Sequence, residues 1–333
     1  MGTLKPSKGK PSKRSPAHKL GPQLPKDLLT ISEIPASKII DLLQLAKRLK
    51  SSHNKGTVIS PLKGKTLGLI FEKPSTRTRV SFEAGINQLG GQALFLASEK
   101  IQLSRGESLA DTAKVLTRYL DGLVVRTFEQ ASLEEWGRHT TIPIINGLTD
   151  YCHPCQALAD VQTIQEYKGK VKGLKLAYIG DGNNIAHSLI EIGAKLGMHV
   201  SVGCPSGYEP DPLLVKKAQE EGSETGAVIS ITTDPHLAAK NADVIYTDVW
   251  ISMGQESEHE PRMAALAPYQ VNSQLMKSAK PQAIAMHCLP AHRGEEITAE
   301  VLDGPQSVVL DQAENRLHIQ KAILMEWLGR RTR

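Results

Sequence analysis

Short apolar runs of four to six residues alternate along the chain with longer stretches in which apolar residues recur every three or four positions. The short runs are typical of buried strands, and the longer stretches are typical of amphipathic helices. In the first half of the chain the predicted strands are 66–71, 93–97, 122–126 and 143–147. In the second half they are 175–179, 200–203, 227–231, 244–247 and 283–287. Because strands that alternate with helices form βαβ units, this pattern predicts an α/β protein with mainly parallel sheets.

Three predicted helices outline the organisation of the chain. The first has an apolar face between Ile39 and Leu49 and ends before Gly56. The second spans 156–167 and runs toward Gly169, where we place a domain boundary. The third spans about 317–328 and is apolar on one face, so we expect it to pack against the first domain and tie the chain ends together.

A chain of 333 residues is long enough for two domains that each bury a core. We assign residues 1–25 to a tail, 26–168 to the first domain and 169–316 to the second, with helix 317–329 packed back on the first. Each domain is predicted to be doubly wound, with a mainly parallel sheet flanked by helices. Ligands of such sheets bind at the carboxyl ends of the strands, so we expect an active site in the cleft between the domains.

The net charge of +5 is concentrated in the tail. Residues 1–25 contain five lysines and one arginine and no acidic residue, so subtracting six leaves −1 for the rest of the chain. A nucleic-acid-binding domain would carry a basic face of its own, and we therefore expect no nucleic-acid partner. No apolar run approaches the roughly 20 residues that cross a bilayer, so we expect no membrane span.

The composition of the tail bears on localisation. It is rich in Lys, Ser, Pro and Gly, which predicts disorder, and it lacks the apolar core of a secretory signal peptide. A basic, acid-free segment also fits an organelle transit peptide, although its five prolines oppose the amphipathic helix that such peptides form. We expect a cytoplasmic protein, with an organelle as the alternative if residues 1–25 are a targeting leader.

Four cysteines are too few for a disulfide framework in a chain of this length, and a reducing, intracellular compartment fits them. Cys152 and Cys155 have the spacing of a redox or zinc-ligand pair. A structural zinc site needs a second ligand pair, and no second CxxC or HxxxH follows. We therefore predict no metal.

The most informative polar segment follows the strand 66–71. Ser75-Thr76-Arg77-Thr78-Arg79 stands between that strand and a predicted helix whose first turns include Val80. The amino end of a helix attracts anions through its unpaired N–H groups, hydroxyl groups add donors, and Arg77 can direct two donors onto a phosphate. This segment predicts an anion site, and the alternative is an exposed, Arg-rich helix start with a Ser/Thr cap.

Two further segments end strands of the same predicted sheet. Arg126 ends the third strand, and His153-Pro154-Cys155-Gln156 follows the fourth. Carboxyl ends of parallel strands meet at one edge, so we expect these residues in one pocket with the Ser75 segment. Arg126 could instead be a strand-end ion-pair partner, and His153 a buried histidine bonded to a carbonyl.

In the second half, Gly180-Asp181-Gly182-Asn183-Asn184 follows the first strand. It lacks the third glycine and the later acidic residue of a dinucleotide fingerprint, so it predicts a tight turn that presents Asn184 at a helix start and no nicotinamide cofactor.

Asp248 ends the fourth strand, and the polar stretch 250–268 predicts a closing lid or, alternatively, a solvated connector. Cys288 follows the last strand, where a lone thiol is usually a small buried apolar group.

Taken together, these segments resemble the transcarbamylases, the family that includes the aspartate and ornithine carbamoyltransferases. The resemblance covers about 26–329, and its motifs arrive in the family's order. Five segments carry it, namely Phe71 to Arg79, His153 to Gln156, Asp181 to Asn184, Asp248 to Gln255, and His287-Cys288-Leu289-Pro290. The segments of the second half resemble the ornithine-specific members, because the aspartate enzymes are similar to this chain only in its first half.

The resemblance implies two sets of binding residues and no cofactor. The carbamoyl phosphate set is Ser75, Thr76, Arg77, Thr78, Arg126, His153, Gln156, Cys288, Leu289 and Arg316, with Arg316 contributed by the far domain and Gln102 reaching the site of a neighbouring subunit. The ornithine set is Asn184, Asp248, Ser252 and Met253. The implied catalytic residues are Arg77, Arg126, His153, Asp248 and Cys288. The family is built on trimers with sites at subunit boundaries, so a homotrimer is expected.

The implied reaction agrees with these residue types. An amine attacks the carbamoyl carbon, negative charge grows on the carbonyl oxygen and phosphate departs, and guanidinium, imidazole and hydroxyl donors stabilise that charge. The rival interpretations are a carbamoyltransferase for another amine, such as putrescine or an acylated ornithine, a non-catalytic scaffold that senses the anion, and a dehydrogenase. Citrulline would be the product if the acceptor is free ornithine.

Overall fold

The computed structural model describes residues 23–329, which form two parallel sheets flanked by helices. Most of the predicted basic tail, residues 1–22, lies outside the described residues. The first sheet contains β1 (Thr66–Phe71), β2 (Gln92–Ala97), β3 (Gly122–Arg126) and β4 (Ile144–Leu148) in the order β2-β1-β3-β4. Its helices are α1 (Ala36–Asn54), α2 (Thr76–Gln88), α3 (Leu109–Leu116), α4 (Gln130–His139) and α5 (Pro154–Lys168). The doubly wound α/β architecture that the sequence predicts is confirmed.

The second sheet contains five strands in the order β7-β6-β5-β8-β9. They are β5 (Lys175–Ile179), β6 (His199–Gly203), β7 (Ile229–Thr232), β8 (Val244–Thr247) and β9 (Ile284–His287). The larger helices are α6 (Asn184–Leu196), α7 (Pro212–Thr225), α9 (His259–Leu266) and α12 (Val309–Leu328). Short helices α8 (Pro235–Ala239), α10 (Ser273–Met276) and α11 (Ala299–Leu302) complete this half. Every strand lies within two residues of its predicted bounds.

Strand register brings the ends of neighbouring strands level with one another. Phe71 at the end of β1 pairs with Arg126 at the end of β3, so the loop after β1 lies beside the Arg126 side chain. Thr247 at the end of β8 pairs with His287 at the end of β9, and the next residues, Asp248 and Cys288, are therefore neighbours. In the first sheet the chain passes from β2 to β3, on the other side of β1, and in the second sheet it passes from β7 to β8, on the other side of β5. Ligands of such folds bind at these switch points.

The last helix joins the two halves. α12 begins at Val309, eight residues before the predicted start at Leu317, so the prediction of its start was wrong and the boundary at residue 316 falls inside a continuous helix. It packs against α1, α2 and α5 and also contacts β9. Its buried face includes Ile319, Ile323 and Leu324 within the core of the first sheet. The polar residues of its first turns hid this beginning, because Gln312, Asn315 and Arg316 are buried and hydrogen-bonded in the structure.

Two other local predictions need correction. α2 begins at Thr76 and not near Val80, because the Ser75 hydroxyl caps the helix by accepting a hydrogen bond from the Thr78 N–H at 3.2 Å. The stretch 250–268, predicted as an irregular lid or connector, contains a 3-10 turn (Glu256–Glu258) and α9. Within residues 23–329, no helix combines the length and the apolar character that crossing a membrane requires.

The packing of α12 predicts a stability difference between two leucines of the same helix. Leu324 is fully buried in the first core, whereas Leu310 is 77% exposed. Leu324→Ala should lower the free energy of unfolding by about 2–5 kcal/mol because it leaves a cavity. Leu310→Ala should change it by less than about 0.5 kcal/mol. Urea unfolding followed by circular dichroism measures both, and equal effects of the two variants would contradict this account of α12.

Candidate active site

The Ser75 segment forms one wall of the site at the amino end of α2. Ser75 has extended backbone angles, and its Oγ accepts from the Thr78 N–H and lies 3.0 Å from the Thr78 Oγ1. α2 is 13 residues long, so its first N–H groups and its macrodipole favour an anion at this end. The Ser-capped helix start, which was the alternative interpretation of this segment, is therefore observed, and the anion site at the same residues stays a prediction.

Three guanidinium groups converge on this end of the helix. Arg126 and Arg316 are 5% and 4% exposed, and Arg77 is partly buried. Burial, together with the positive charges of Arg316 and Arg77, lowers the pKa of Arg126 to about 9. Burial and Arg77 also lower the pKa of Arg316. The Nε atoms of Arg126 and Arg316 have no hydrogen-bond partner among the described residues. Buried cations that repel one another and retain free donors favour the binding of an anion.

Arg316 is held in place by residues of the first half of the chain. Its Nη2 donates to the Thr78 Oγ1 at 2.8 Å, and its Nη1 donates to the Gln156 Oε1 at 3.1 Å. Thr78 and Gln156 are themselves buried. Arg316 therefore lies against residues of the first sheet although it follows the second sheet in the chain, because α12 packs on α2 and α5.

His153 lies immediately before α5 and faces the same cluster. Its backbone N–H donates to the Ser188 Oγ at 2.8 Å, and the Nδ1 atom of its ring has no partner among the described residues. Burial, followed by the charges of Arg316, Arg126 and Arg77, lowers the pKa of His153 well below its usual value. The imidazole is therefore neutral near pH 7 and can donate one N–H without adding positive charge.

Arg77 connects the two halves of the chain across the cleft. Its Nη2 donates to the Leu289 carbonyl oxygen at 2.6 Å. Leu289 has a φ of +58°, a left-handed conformation that is uncommon for a branched side chain and that turns its carbonyl toward Arg77. This bond brings the segment after β9 to the helix end that follows β1.

Asp248 and Cys288 form the opposite wall. The Cys288 thiol donates to the Asp248 Oδ1 at 2.9 Å, and the Asn183 Nδ2 donates to the Asp248 Oδ2 at the same distance. Burial and the Asp248 charge raise the pKa of Cys288 well above its usual value, so the group is a thiol and not a thiolate. Asp248 thus presents a hydrogen-bonded carboxylate facing the arginine cluster, since its charge acts on Arg77.

The other predicted binding residues are less closely tied to these walls. The Asn184 Nδ2 donates to the Thr149 carbonyl at 2.6 Å. The Ser252 N–H donates to the Gln255 Oε1 at 3.1 Å, and Met253 is 41% exposed. Gly254, with a φ of +96°, faces the Phe128 ring at the rim of the first half. The structure therefore places the Ser252–Gly254 segment over the cleft but gives Ser252 and Met253 no hydrogen bond to the two walls.

Gln102 lies apart from the cluster. It begins an exposed 3-10 turn (Gln102–Arg105), and none of its hydrogen bonds in the described part of the chain reaches the residues of the site. Thr76, by contrast, is the first residue of α2 and shares the amino end of that helix with Ser75 and Arg77.

Sequence reasoning missed residues that support the site from behind. Asn183 both caps α6, where its Oδ1 accepts from the Ile185 N–H at 3.0 Å, and orients Asp248. Its position before a helix start was the signal that could have found it. Asp181 accepts from the Arg262 Nη1 at 2.9 Å and so ties α9 to the second sheet. No signal in the sequence pairs two residues that lie 81 positions apart.

The cysteine pair and the Cys288 region bear on metal binding. Cys152 and Cys155 are buried, and the Cys155 Sγ donates to the Asn146 carbonyl at 3.4 Å. Asp248, His287 and Cys288 offer ligand atoms within 4.8 Å of one another. However, the His287 Nδ1 accepts from the Leu289 N–H, and its Nε2 lies 3.0 Å from the Glu296 Oε1. A metal ion there would have to displace one of these contacts.

Comparison with known proteins assigns both halves to one family. The family model for the aspartate/ornithine carbamoyltransferase carbamoyl-P binding domain matches residues 26–166, and the model for the Asp/Orn binding domain matches residues 172–327. The ornithine carbamoyltransferase of Syntrophus aciditrophicus is 55% identical over 299 residues, which is 90% of this chain and 98% of that protein. The ornithine carbamoyltransferase of Thermococcus kodakarensis is 53% identical over 304 residues, which is 91% of this chain and 96% of that protein.

Solved structures agree with this assignment. The structure of ornithine carbamoyltransferase from Pyrococcus furiosus matches with a TM-score of 0.89 at 53% identity and covers 91% of this chain and 97% of that one. The structure of ornithine carbamoyltransferase from Gloeobacter violaceus matches with a TM-score of 0.83 at 47% identity and covers 92% and 100%.

The state of Cys288 gives a chemical prediction. Iodoacetamide alkylates thiolates, and a raised pKa means that the thiolate of Cys288 forms only at strongly alkaline pH, so alkylation near pH 8 should be slower than that of a small free thiol. Asp248→Asn removes the neighbouring negative charge, so the pKa of Cys288 should fall and its thiolate fraction should rise. Alkylation of Cys288 should then be about tenfold faster. Peptide mapping by mass spectrometry measures the rate.

Asp181→Asn is the matched control, because Asp181 is also a buried carboxylate of the second half but its hydrogen bond is to Arg262 and not to the Cys288 thiol. The rate of Cys288 alkylation in Asp181→Asn should equal that in the unsubstituted protein. Rapid alkylation of Cys288 in the unsubstituted protein would contradict the assignment of a neutral thiol.

Proposed function

We infer the activity of this chain from its family, because it belongs to the aspartate/ornithine carbamoyltransferase family. We propose that it transfers the carbamoyl group of carbamoyl phosphate to the δ-amine of L-ornithine and releases L-citrulline and phosphate. The observation that carries this proposal is the buried cluster of Arg77, Arg126 and Arg316, which faces the Asp248 carboxylate across one cleft. The cluster fits a phosphorylated anion, and the carboxylate fits an amine.

The first domain, with α12, would bind carbamoyl phosphate, and the second domain would bind ornithine. Carbamoyl phosphate would contact Ser75, Thr76, Arg77, Thr78, Arg126, His153, Gln156, Cys288, Leu289 and Arg316. Ornithine would contact Asn184, Asp248, Ser252 and Met253. A carboxylate such as Asp248 suits an acceptor amine, and it would repel the side-chain carboxylate of an aspartate substrate. This charge argument favours ornithine over aspartate, in agreement with the names of the relatives.

The donors of the first wall suit the two ends of the carbamoyl donor. Hydroxyl groups, helix N–H groups and the Arg77 guanidinium can bind the phosphate oxygens. Arg126 and the neutral His153 can donate to the carbonyl oxygen, on which negative charge develops during attack. A neutral imidazole acts here as a hydrogen-bond donor and not as an acid, because its pKa lies well below the usual value.

Gln156 would recognise the carbamoyl NH2 group. Its Nε2 donates to the Asp160 Oδ1 at 2.8 Å, so this nitrogen is not free to donate to a ligand. Its Oε1 accepts from Arg316 and retains a second lone pair. An acceptor cannot bind phosphate oxygens, and the carbamoyl NH2 is the only donor of the carbamoyl phosphate dianion. The Leu289 carbonyl, which accepts from Arg77 across the cleft, is a second acceptor.

The acceptor amine must lose a proton before it can attack. The intrinsic pKa of a δ-ammonium group is about 10, by analogy with lysine, so most ornithine carries this charge at neutral pH. The guanidinium charges act to lower the pKa of a nearby ammonium, and the Asp248 carboxylate, which would hold the amine in place, acts to raise it. Attack forms the C–N bond and breaks the C–O bond to phosphate. One proton passes from the ammonium to solvent before attack. A second proton passes from the attacking nitrogen to the departing phosphate, which is released as hydrogen phosphate.

A single assay tests the proposed activity. The full chain, incubated with carbamoyl phosphate and L-ornithine, should form citrulline, which the colorimetric ureido assay detects. The parallel assays use putrescine and N-acetylornithine and identify the product of each. Both amines should react far more slowly than ornithine. Faster carbamoylation of either alternative would overturn the choice of ornithine, and no carbamoylation of any amine would support a binding scaffold instead.

Arg77→Lys tests the geometry of the site. Lysine keeps the charge but loses the second donor of the fork, so kcat/KM for carbamoyl phosphate should fall by about 10²–10³-fold. Arg79→Lys is the matched control, because Arg79 pairs with Glu83 at 2.9 Å on the outer face of the same helix and is partly exposed. Its kcat/KM should change by less than about threefold. Equal losses in the two variants would argue against direct contact of Arg77 with the substrate.

We further propose a cytoplasmic homotrimer with sites at subunit boundaries, and an organelle remains the alternative location. The exposed position of Gln102, away from its own cluster, supports a role in a neighbouring subunit's site. Light scattering should give a mass close to three times the 36.3 kDa of one chain. Full activity at the mass of a single chain would refute the trimer.

A further inference from the structure

A fully buried carboxylate lies directly behind the proposed anion site. Asp160 is on α5, one turn after Gln156, and it is completely inaccessible to solvent. Its Oδ1 accepts from the Gln156 Nε2 at 2.8 Å and from the Gln312 Nε2 at 2.7 Å, and its Oδ2 accepts from the Tyr246 hydroxyl at 3.0 Å. None of the proposed steps of carbamoyl transfer uses this group.

Asp160 determines which way the Gln156 amide points. An ionised carboxylate only accepts hydrogen bonds, so the Gln156 side chain must turn its nitrogen toward Asp160. Its oxygen is thereby directed to the Arg316 guanidinium and to the anion site. With the amide reversed, the nitrogen would face a guanidinium and the oxygen would face a carboxylate, and both contacts would be repulsive.

The same carboxylate is connected to the opposite wall. Gln312, on α12, bonds to Asp160 and to the Tyr246 hydroxyl, and its Oε1 accepts from the His287 N–H at 3.0 Å. Tyr246 and His287 are on β8 and β9, and they precede Asp248 and Cys288 by two residues and one residue. One buried network therefore touches the elements that carry the proposed carbamoyl phosphate site and those that carry the proposed ornithine site.

We propose that Asp160 is a positioning residue of the reaction, which fixes the Gln156 amide with its oxygen toward the carbamoyl NH2 group. This inference rests on the proposed function, because it assigns Asp160 a part in recognising the carbamoyl end of carbamoyl phosphate. Asp160 touches neither substrate, and the phosphate end has its own donors at α2. Loss of the Asp160 charge should therefore weaken binding of the carbamoyl group and leave binding of the phosphate group intact.

The surroundings of Asp160 make its charge sensitive to pH. Burial raises its pKa to about 7, against the lowering effects of Gln156, Gln312, Tyr246 and the Arg316 charge. The charged and titratable groups that act on it or respond to it are Arg316 on α12, Tyr246 on β8 and Cys288 after β9. Because the pKa is raised, Asp160 is ionised above about pH 7 and becomes protonated, and a weaker anchor for Gln156, as the pH falls through that value.

Asp160→Asn tests the proposal in the full chain. Asparagine keeps the shape but has no charge and only one acceptor atom, so the KM for carbamoyl phosphate should rise about three- to tenfold at pH 8. The Ki of inorganic phosphate, measured as an inhibitor of the same assay, should change by less than about twofold. Asp160→Leu removes both acceptors and should raise the KM further. If the Leu variant does not fold, the Asn variant decides.

The pH dependence separates positioning from a general structural effect. The ratio of the carbamoyl phosphate KM in Asp160→Asn to that in the unsubstituted chain should fall toward one as the pH is lowered from 8 to 6, since protonated Asp160 resembles the amide. Ionisation of the substrates is common to both proteins and cancels in the ratio. A ratio that is constant across this range would overturn the proposal.

Thr163→Val is the matched control. Thr163 is one turn further along α5, is equally buried and accepts from the Asn315 Nδ2 of α12 at 2.9 Å, so the variant removes a buried hydrogen bond between the same two helices without touching Gln156. Its KM for carbamoyl phosphate and its Ki for phosphate should both match those of the unsubstituted chain. The proposal fails if Asp160→Asn leaves the carbamoyl phosphate KM unchanged, or if it raises the Ki of inorganic phosphate by the same factor.

The outcome is separable from that of the proposed function. Absence of citrulline formation by the unsubstituted chain would refute the proposed activity before any variant is compared. Citrulline formation that is indifferent to Asp160 would refute the positioning role alone.

Discussion

The repulsion among buried guanidinium groups is the constraint on which this site depends. Arg126 and Arg316 lie in the protein interior, where burial lowers their pKa values and that of His153, and neighbouring guanidinium charges lower them further. Such a cluster is unfavourable unless an anion neutralises it. The fold stabilises it in part with neutral acceptors, the Thr78 hydroxyl and the Gln156 amide oxygen, which bind Arg316 without cancelling its charge. Under the proposed function, the unfavourable charge that remains would be the source of affinity for a phosphorylated substrate.

Parallel sheets explain how so few elements assemble the cluster. The carboxyl ends of β1 and β3 are level, and so are those of β8 and β9, so the loop after β1 lies beside Arg126 and Asp248 lies beside Cys288. The two sheets then face each other across a cleft that Arg77 crosses to reach the Leu289 carbonyl. The arginine cluster and the Asp248 carboxylate are thereby held on separate walls, an arrangement that suits the proposed transfer between two substrates.

The interior behind the cleft is polar where a hydrophobic core would be expected. Between α5 and α12, Asp160, Gln312 and Tyr246 form a network in which both oxygens of the carboxylate accept hydrogen bonds. Such networks specify side-chain orientation more strictly than apolar packing does, because a reversed amide loses two hydrogen bonds at once. α12 belongs to this network and to the core of the first sheet, and so its packing couples stability to the geometry of the site.

Short apolar runs and helical periodicity are local signals, and they suffice to predict the α/β class, nearly every strand and the chemical types at the strand ends. The sequence also indicated the anion site, since Ser75 to Arg79 is one continuous segment, and its resemblance to the transcarbamylases indicated the reaction. The folded structure was needed to show that α12 begins at Val309, that Arg316 bonds to Thr78, and that Asn183 and Gln312 form buried hydrogen bonds to Asp248 and Asp160. The reason is physical: the periodicity of a helix reports which residues face an apolar core, whereas a buried polar contact joins residues far apart in the chain whose identity alone does not reveal their partner.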